Sequence, residues 1–141
     1  MQLTPYVSFN GNCAEAFAFY HACLGGELDA MPYAGSPMAD EMPAVMQDRI
    51  MHATLTNGEF FLMGSDVPPS VYQAPQGMQI ALLCDDLDEA QRRFDSLSAD
   101  GQISMPLQAT FWSTGFALFT DRFGIQWMIN CTCALDAKID A

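Results

Sequence analysis

The hydrophobic pattern of the chain predicts one strand, one helix and three further strands, and then the same series again. In the first half, strand-like apolar runs occupy 3–9 and 27–33. A third apolar region, 50–64, is divided by Asn57-Gly58, a strong hairpin signal. The irregular stretch 34–48 lies between these strands and carries proline, glycine and methionine.

The segment between the first two strands has the spacing of an amphipathic helix. Asn12 and Glu15 form a pattern like a capping box before it, and Gly25-Gly26 is expected to end it. The apolar stripe consists of Ala16, Phe17, Tyr20, Cys23 and Leu24.

The second half repeats this order. A strand over 78–84 is apolar enough to be covered on both faces, and Asp86 with Glu89 predicts the next helix start. A short strand near 103–105 is expected to break at Pro106. The helix stripe is Leu87, Ala90, Phe94 and Leu97, ended by Gly101, and the last hairpin joins 116–120 to 125–131. The polar tail from Ala134 is expected to fray.

The two halves align at one offset, which indicates duplication. Asn12 and Glu15 match Asp86 and Glu89, and Tyr20 matches Phe94. We therefore predict an α+β fold of two tandem βαβββ modules in a single 141-residue domain. Repeat 1 covers about 1–66, a linker about 67–76, and repeat 2 about 77–133.

Composition narrows the possible partners. The net charge of −12 disfavours nucleic acid and anionic membrane surfaces, and no apolar run approaches the roughly 18 residues of a membrane span. The N-terminal residues lack the charge and apolar region of a signal peptide, so we expect a cytoplasmic protein. Five cysteines, an odd number, do not indicate a disulfide framework in such a chain.

Several blocks of sequence, in order along almost the whole chain, resemble PhnB-like proteins of the vicinal oxygen chelate superfamily. That superfamily includes glyoxalase I, extradiol dioxygenases and bleomycin-resistance proteins. The blocks are Pro5-Tyr6, Phe9-Asn10-Gly11-Asn12-Cys13, Ala16-Phe17-Ala18-Phe19-Tyr20, Ile50-Met51-His52-Ala53, Phe111-Trp112 and Thr120-Asp121-Arg122-Phe123-Gly124-Ile125-Gln126-Trp127. The resemblance implies curved mixed sheets around a cleft, a small-molecule ligand and a homodimer.

The resemblance also implies where a metal would bind. Metal-using relatives place His or Glu on the first and last strands of each half, and those four positions fall at or next to Pro5, near Leu62, on Gln79 and on or beside Met128. None is a good ligand for a catalytic divalent ion. We therefore expect no metal cofactor.

Six residues are candidates for the site. His52 would act as a base or a hydrogen-bond donor in the cleft, and Gln79 would orient a polar group of the ligand. A core histidine bonded to a backbone carbonyl is the alternative for His52. Tyr6, Phe111, Trp112 and Met128 are expected to contact the ligand, although plain packing or dimer burial would also explain the aromatic pair.

These residues lead to three hypotheses. The first is a metal-free cleft that binds a small, largely apolar molecule. The second is a lyase or isomerase with His52 as general base and Gln79 polarising a carbonyl or enolate. The third is a metalloenzyme whose non-standard ligand set includes His52. Methyltransferase activity, a label often given to such relatives, has no support, because no glycine-rich strand–helix turn is present.

Overall fold

The structure, a computed structural model, describes residues 1–131. The chain divides into two compact units, Met1–Gln73 and a second that begins at Ala74. Each unit contains a four-stranded mixed sheet and one α-helix, which confirms the predicted α+β fold of two modules. The predicted tail from Ala134 lies outside the described residues.

The first unit follows the predicted order of elements. Its elements are β1 (Tyr6–Phe9), α1 (Cys13–Leu24), β2 (Glu27–Pro32), β3 (Ile50–Thr56) and β4 (Phe61–Asp66). The strand order across the sheet is β1-β4-β3-β2, with β1 parallel to β4 and the other pairs antiparallel. Two single 3₁₀ turns, Ala39–Glu41 and Ala44–Met46, lie within the long connection between β2 and β3.

The core of the first unit lies between α1 and one face of this sheet. Helix α1 buries Cys13, Ala16, Phe17, Tyr20 and Leu24, and the sheet buries Val7, Phe9, Ala53, Leu55 and Leu62 against it. Gly64 lets Phe17 of α1 pack directly against the backbone of β4, since a Cβ atom on residue 64 would lie 2.7 Å from Cε1 of Phe17. The other face of the sheet is left without a helix.

The start of α1 differs from the predicted capping box. Asn12 is the N-cap residue, but its side chain makes no capping hydrogen bond. Asp66, at the end of β4, instead accepts hydrogen bonds at Oδ1 from the backbone N–H groups of Gly11 (2.8 Å) and Cys13 (3.1 Å). Asn12 is thus the N-cap that the sequence predicted, but the predicted capping box is absent, and a buried carboxylate from a distant strand supplies an acceptor at the helix start.

The predicted hairpin is present, and its loop spans four residues. Asn57 and Phe60 close it with a backbone hydrogen bond of 3.1 Å from Asn57 N–H to the Phe60 carbonyl. The Asn57 side chain also accepts from the backbone N–H groups of Glu59 (2.7 Å) and Phe60 (3.1 Å). The asparagine therefore shapes this turn through its side-chain oxygen.

The second unit has the same order of elements. It contains β5 (Ile80–Cys84), α2 (Leu87–Leu97), β6 (Gln102–Gln108), β7 (Gly115–Thr120) and β8 (Gln126–Cys131), with strand order β5-β8-β7-β6. The predicted cap of α2 is confirmed, because the Asp86 side chain accepts from the Glu89 N–H at 2.7 Å.

Two strand predictions in the second unit were wrong. Strand β6 continues through Pro106, where the edge position leaves the missing N–H without consequence and the register shifts between Met105 and Gln108. Strand β5 is not covered on both faces, since Ala81 and Leu83 are exposed, Leu83 by 70%. Helix α2 covers only one face of the sheet.

Within the described part of the chain, neither helix is long and apolar enough to cross a membrane.

Candidate functional site

The sheet face of the first unit that points away from α1 carries the predicted histidine. Side chains alternate between the two faces of a strand, and Val7, Ala53 and Leu55 are buried on the α1 side. Their neighbours therefore lie on the opposite face, which we call the first open face. It carries Tyr6, Ser8, Met31, His52, Thr54 and Met63.

Tyr6 and His52 contact each other on the first open face. The Tyr6 hydroxyl lies 3.3 Å from Nδ1 of His52, and the two rings are stacked with centroids 5.8 Å apart and planes inclined at 27°. Tyr6 lies on β1 and His52 on β3, so the contact passes over β4. Tyr6 is 49% exposed and His52 is half-buried, so solvent reaches the pair.

This contact determines what the imidazole presents to a ligand. When the Tyr6 hydroxyl donates to Nδ1, Nε2 of His52 carries the proton and is a donor. In the other tautomer Nδ1 donates to the hydroxyl oxygen, and Nε2 is then an acceptor that can also serve as a base. Tyr6 therefore fixes the ring position in both cases. The histidine is not bonded to a backbone carbonyl among residues 1–131, as the core alternative required.

The other four predicted residues belong to the second unit. Gln79 comes directly before β5, is exposed, and has no hydrogen-bond partner for its side chain within residues 1–131. Met128 is half-buried on β8, opposite Ala81 of β5. Phe111 and Trp112 lie in the loop between β6 and β7. The structure thus brings Tyr6 to His52 in one unit and Phe111 to Trp112 in the other.

The aromatic residues of that loop form a series of edge-to-face contacts. The ring centroids of Phe111 and Trp112 are 4.7 Å apart, and those of Trp112 and Phe116 are 5.3 Å apart. Phe111 is 92% exposed and Trp112 38%, whereas Phe116 is buried. An aromatic side chain as exposed as Phe111 contributes little to the core of its own unit.

Sequence reasoning missed Asn130, which lies beside these aromatic residues. It is paired with Phe116 in the register between β7 and β8. Its Oδ1 is buried, and no hydrogen-bond partner for it occurs in the described part of the chain. The sequence carried a signal, since Asn130 is an amide among the apolar residues of the last strand.

The donor groups that the structure describes do not fit a metal of the kind that the superfamily implies. The positions compared with metal ligands are occupied by Pro5, Leu62, Gln79 and Met128, or lie next to them. Across residues 1–131, no three side chains of His, Cys, Asp or Glu come together in a group that could hold an ion.

The buried cysteines are held as thiols. Burial, with a further contribution from the charge of Asp66, raises the pKa of Cys13 to about 12. Burial, followed by the charge of Glu89, raises the pKa of Cys84 to about 11. The thiolate is the nucleophilic form, so these two residues are poor candidates for covalent chemistry.

We expect iodoacetamide to alkylate Cys13 and Cys84 in the folded protein at least about tenfold more slowly than the half-buried Cys23, because little thiolate forms and access is blocked. Mass spectrometry of labelled peptides at mildly alkaline pH measures the three rates. The denatured protein is the control, in which the rates should converge. Equal alkylation rates in the folded protein would contradict the conclusion that Cys13 and Cys84 are held as buried thiols.

Comparison with known proteins identifies the family. A sequence model of the Glyoxalase/Bleomycin resistance protein/Dioxygenase superfamily matches residues 2–129. The chain belongs to this superfamily. The earlier resemblance is thereby confirmed at the level of the superfamily and its fold.

Comparisons with individual proteins support the assignment to this superfamily. Protein YjdN of Escherichia coli strain K12 is 40% identical over 139 residues, covering 92% of this chain and 95% of YjdN. The crystal structure of PA1353 from Pseudomonas aeruginosa is 48% identical, with a TM-score of 0.86 and coverage of 94% and 98%. A PhnB protein from Bacillus cereus is 23% identical with a TM-score of 0.72 and coverage of 94% and 100%, and shows the fold alone.

Proposed function

We propose that this protein binds a small, largely apolar molecule on the first open face, with His52 as the polar anchor. The contact between the Tyr6 hydroxyl and Nδ1 of His52 carries the proposal. It holds a half-buried imidazole in one orientation on a sheet face that no helix of its unit covers, and it directs the second ring nitrogen away from Tyr6.

The neighbours of this pair supply the apolar part of the surface. Met63 lies opposite Tyr6 in the register between β1 and β4, and Met31 lies opposite His52 in the register between β2 and β3. Methionine side chains are flexible and polarisable, so they adapt to ligands of different shape. A ligand with a mainly apolar body and one polar group suits such a surface.

Charge supports a neutral ligand. Arg49 is the only Lys or Arg within Met1–Gln73, and its guanidinium donates to Asn10 Oδ1 at 3.3 Å. Asp29 lies opposite Thr54, which places a carboxylate on the first open face. An anion would meet repulsion there and from the net charge of −12.

A lyase or isomerase activity is the second candidate, favoured by the same contact. An imidazole whose Nδ1 is engaged by a hydroxyl can accept a proton at Nε2, which is the arrangement of a general base and its orienting group. The proposed role of Gln79 in polarising a substrate stays a prediction. A metalloenzyme that uses His52 receives no support from the side chains of residues 1–131.

Binding can be tested through the imidazole signals, because the chain contains only two histidines, His21 and His52. We propose heteronuclear NMR of the labelled rings during titration with acetophenone, an apolar probe with one carbonyl acceptor. The His52 signals are expected to shift, whereas those of His21, an exposed residue of α1 that contacts the Gly26 carbonyl, are expected to stay unchanged.

Variants separate binding from structure. His52→Gln is expected to weaken acetophenone binding about three- to tenfold, the value of one hydrogen bond, and Tyr6→Phe should alter the tautomer balance of His52. His21→Gln is the matched control. Equal shifts at both histidines, or the same affinity for His52→Gln, would remove His52 from the site. Solvent-proton exchange at the carbon next to the ketone, lost in His52→Gln, would favour the enzyme.

The homodimer and the cytoplasmic location are also proposals, based on the resemblance and on the sequence. Light scattering of the purified protein measures the first. A monomer at micromolar concentration would contradict it.

A further inference from the structure

The chain contains two Asn-Gly dipeptides, Asn10-Gly11 and Asn57-Gly58, and both are exposed. An asparagine before a glycine can lose ammonia, because the backbone nitrogen of the glycine attacks Cγ of the asparagine and the absent Cβ of the glycine leaves room for the attack. The reaction requires an available backbone N–H and is faster when the side-chain carbonyl is activated. The two dipeptides differ in the first of these requirements.

The backbone N–H of Gly11 is held by a hydrogen bond. It donates to Oδ1 of the buried Asp66 at 2.8 Å. An amide that donates to a carboxylate loses its proton less readily, because the resulting anion would face a negative charge, and the bond also fixes the position of the nitrogen. The side-chain oxygen of Asn10 accepts from Arg49 Nη1 at 3.3 Å, so this dipeptide does not lack an activated carbonyl.

The backbone N–H of Gly58 has no hydrogen-bond partner among residues 1–131. Oδ1 of Asn57 accepts from the backbone N–H groups of Glu59 at 2.7 Å and Phe60 at 3.1 Å. Two donors on one carbonyl oxygen make its carbon more electrophilic, and they stabilise the negative charge that develops on the oxygen during attack, as in an oxyanion hole. This turn therefore combines an available nucleophile with an activated carbonyl.

We propose that Asn57-Gly58 is a site of spontaneous deamidation in the folded protein, and that Asp66 protects Asn10-Gly11 from the same reaction. Hydroxide removes the amide proton of Gly58, the nitrogen forms a bond to Cγ of Asn57, and the bond from Cγ to the side-chain nitrogen breaks and releases ammonia. Water then opens the succinimide ring at either carbonyl and leaves aspartate or isoaspartate. The net change is addition of water and loss of ammonia, with no oxidation or reduction.

The product changes the hairpin between β3 and β4. The reaction adds one negative charge to a chain whose net charge is already −12. Aspartate keeps the side-chain acceptor of the turn. Isoaspartate instead carries an additional methylene group in the main chain, within the loop that the hydrogen bond from Asn57 N–H to the Phe60 carbonyl (3.1 Å) closes. The isoaspartyl form therefore has a longer hairpin loop. This modification does not depend on the proposed role of His52.

Incubation at mildly alkaline pH in water enriched in heavy oxygen tests the proposal, because ring opening transfers the label to the new carboxylate. Peptide mass spectrometry then measures the conversion of Asn10 and Asn57 in the same sample. We expect Asn57 to react at least about tenfold faster than Asn10 in the folded protein, the value of one hydrogen bond to a charged group. In concentrated urea the two rates should converge, since the hydrogen bond to Asp66 is then lost.

Gly58→Ala tests the role of the nucleophile. A Cβ atom at this position meets no atom within 4 Å, and the backbone there is not left-handed, so alanine fits the turn. The rate at Asn57 should fall at least about fivefold, because the added Cβ hinders the attack. The rate at Asn10 in the same protein is the matched control and should stay unchanged.

Three results would overturn the proposal. In the folded protein, Asn57 would react no faster than Asn10, or Gly58→Ala would leave the rate at Asn57 unchanged. Alternatively, urea would fail to accelerate the reaction at Asn10, which would remove the protective role of Asp66. Should Gly58→Ala misfold, the comparison between the folded and the urea-treated unaltered protein still decides, because it requires no variant.

Discussion

Replacing Asp66 with alanine is expected to destabilise the first unit by about 4 kcal/mol. The carboxylate is 1% exposed and accepts three backbone hydrogen bonds, from Gly11 and Cys13 at Oδ1 and from Ile50 at Oδ2 (2.8 Å). These bonds join the end of β4 to the start of α1 and the start of β3. Alanine would leave three buried donors without a partner and a cavity beside them.

Urea unfolding followed by circular dichroism measures the loss. Asp48→Ala, which removes an exposed carboxylate from the same unit, is the control and should change the free energy of unfolding by less than about 0.5 kcal/mol. Hydrogen exchange gives a local readout, since the amides of Gly11, Cys13 and Ile50 should lose protection first. An unchanged unfolding midpoint for Asp66→Ala would show that water replaces the carboxylate without cost.

The two helix starts show how far local sequence predicts structure. The Asp86 cap was predictable because its partner, the N–H of Glu89, lies three residues along the chain. The same pattern at Asn12 predicted the position of the helix start but not its acceptor, which comes from Asp66, 53 residues from Cys13. A capping pattern identifies only hydrogen-bond acceptors within a few residues of the helix start. It contains no information on a carboxylate that a distant strand places there.

The errors in the second unit have one physical origin. An apolar run such as 80–84 indicates burial, but whether one face or both are covered depends on how many helical layers pack on the sheet, and in this unit α2 covers one face only. Strand β6 tolerates Pro106 because it lies at an edge of the sheet. Strand order follows from long-range pairing, which hydrophobic period alone does not specify.

The sequence predicted individual residues of the candidate site but not how they are arranged in space. Tyr6 and His52 were each candidates, but their contact, 46 residues apart in sequence, depends on β4 lying between β1 and β3. Asn130 was missed for a different reason. An amide among the apolar residues of the last strand is a weak signal, and only the structure shows that its oxygen is buried without a partner in the described chain.

The duplicated units use buried aspartates at different places. In the first unit Asp66 ends β4, whereas in the second Asp121 begins the turn between β7 and β8. Each accepts three hydrogen bonds from its own unit. The sequence repeat therefore conserves the order of elements, while the polar contacts that fix their ends differ.

Asp121→Ala is expected to destabilise the second unit by about 3 kcal/mol. Oδ1 accepts from the backbone N–H groups of Phe123 (2.8 Å) and Ile125 (3.0 Å), and Oδ2 accepts from Nε1 of the buried Trp127 (2.8 Å). One carboxylate thus closes the β7–β8 turn and satisfies the indole of the largest core side chain. Asp85→Ala, which removes an exposed carboxylate from the same unit, is the control and should cost less than about 0.5 kcal/mol.

Asp121→Asn distinguishes charge from hydrogen-bond count. An amide has one oxygen, so it can accept from the turn or from Trp127, while its NH₂ group faces the remaining donor. We therefore expect Asp121→Asn to lose at least half of the stability that Asp121→Ala loses, and Trp127→Phe to cost less in the Asp121→Asn background than in the unaltered protein, because the conflicting donor is gone. Urea unfolding of the four proteins in this cycle measures the coupling. Additive effects would show that Asp121 acts on the turn alone.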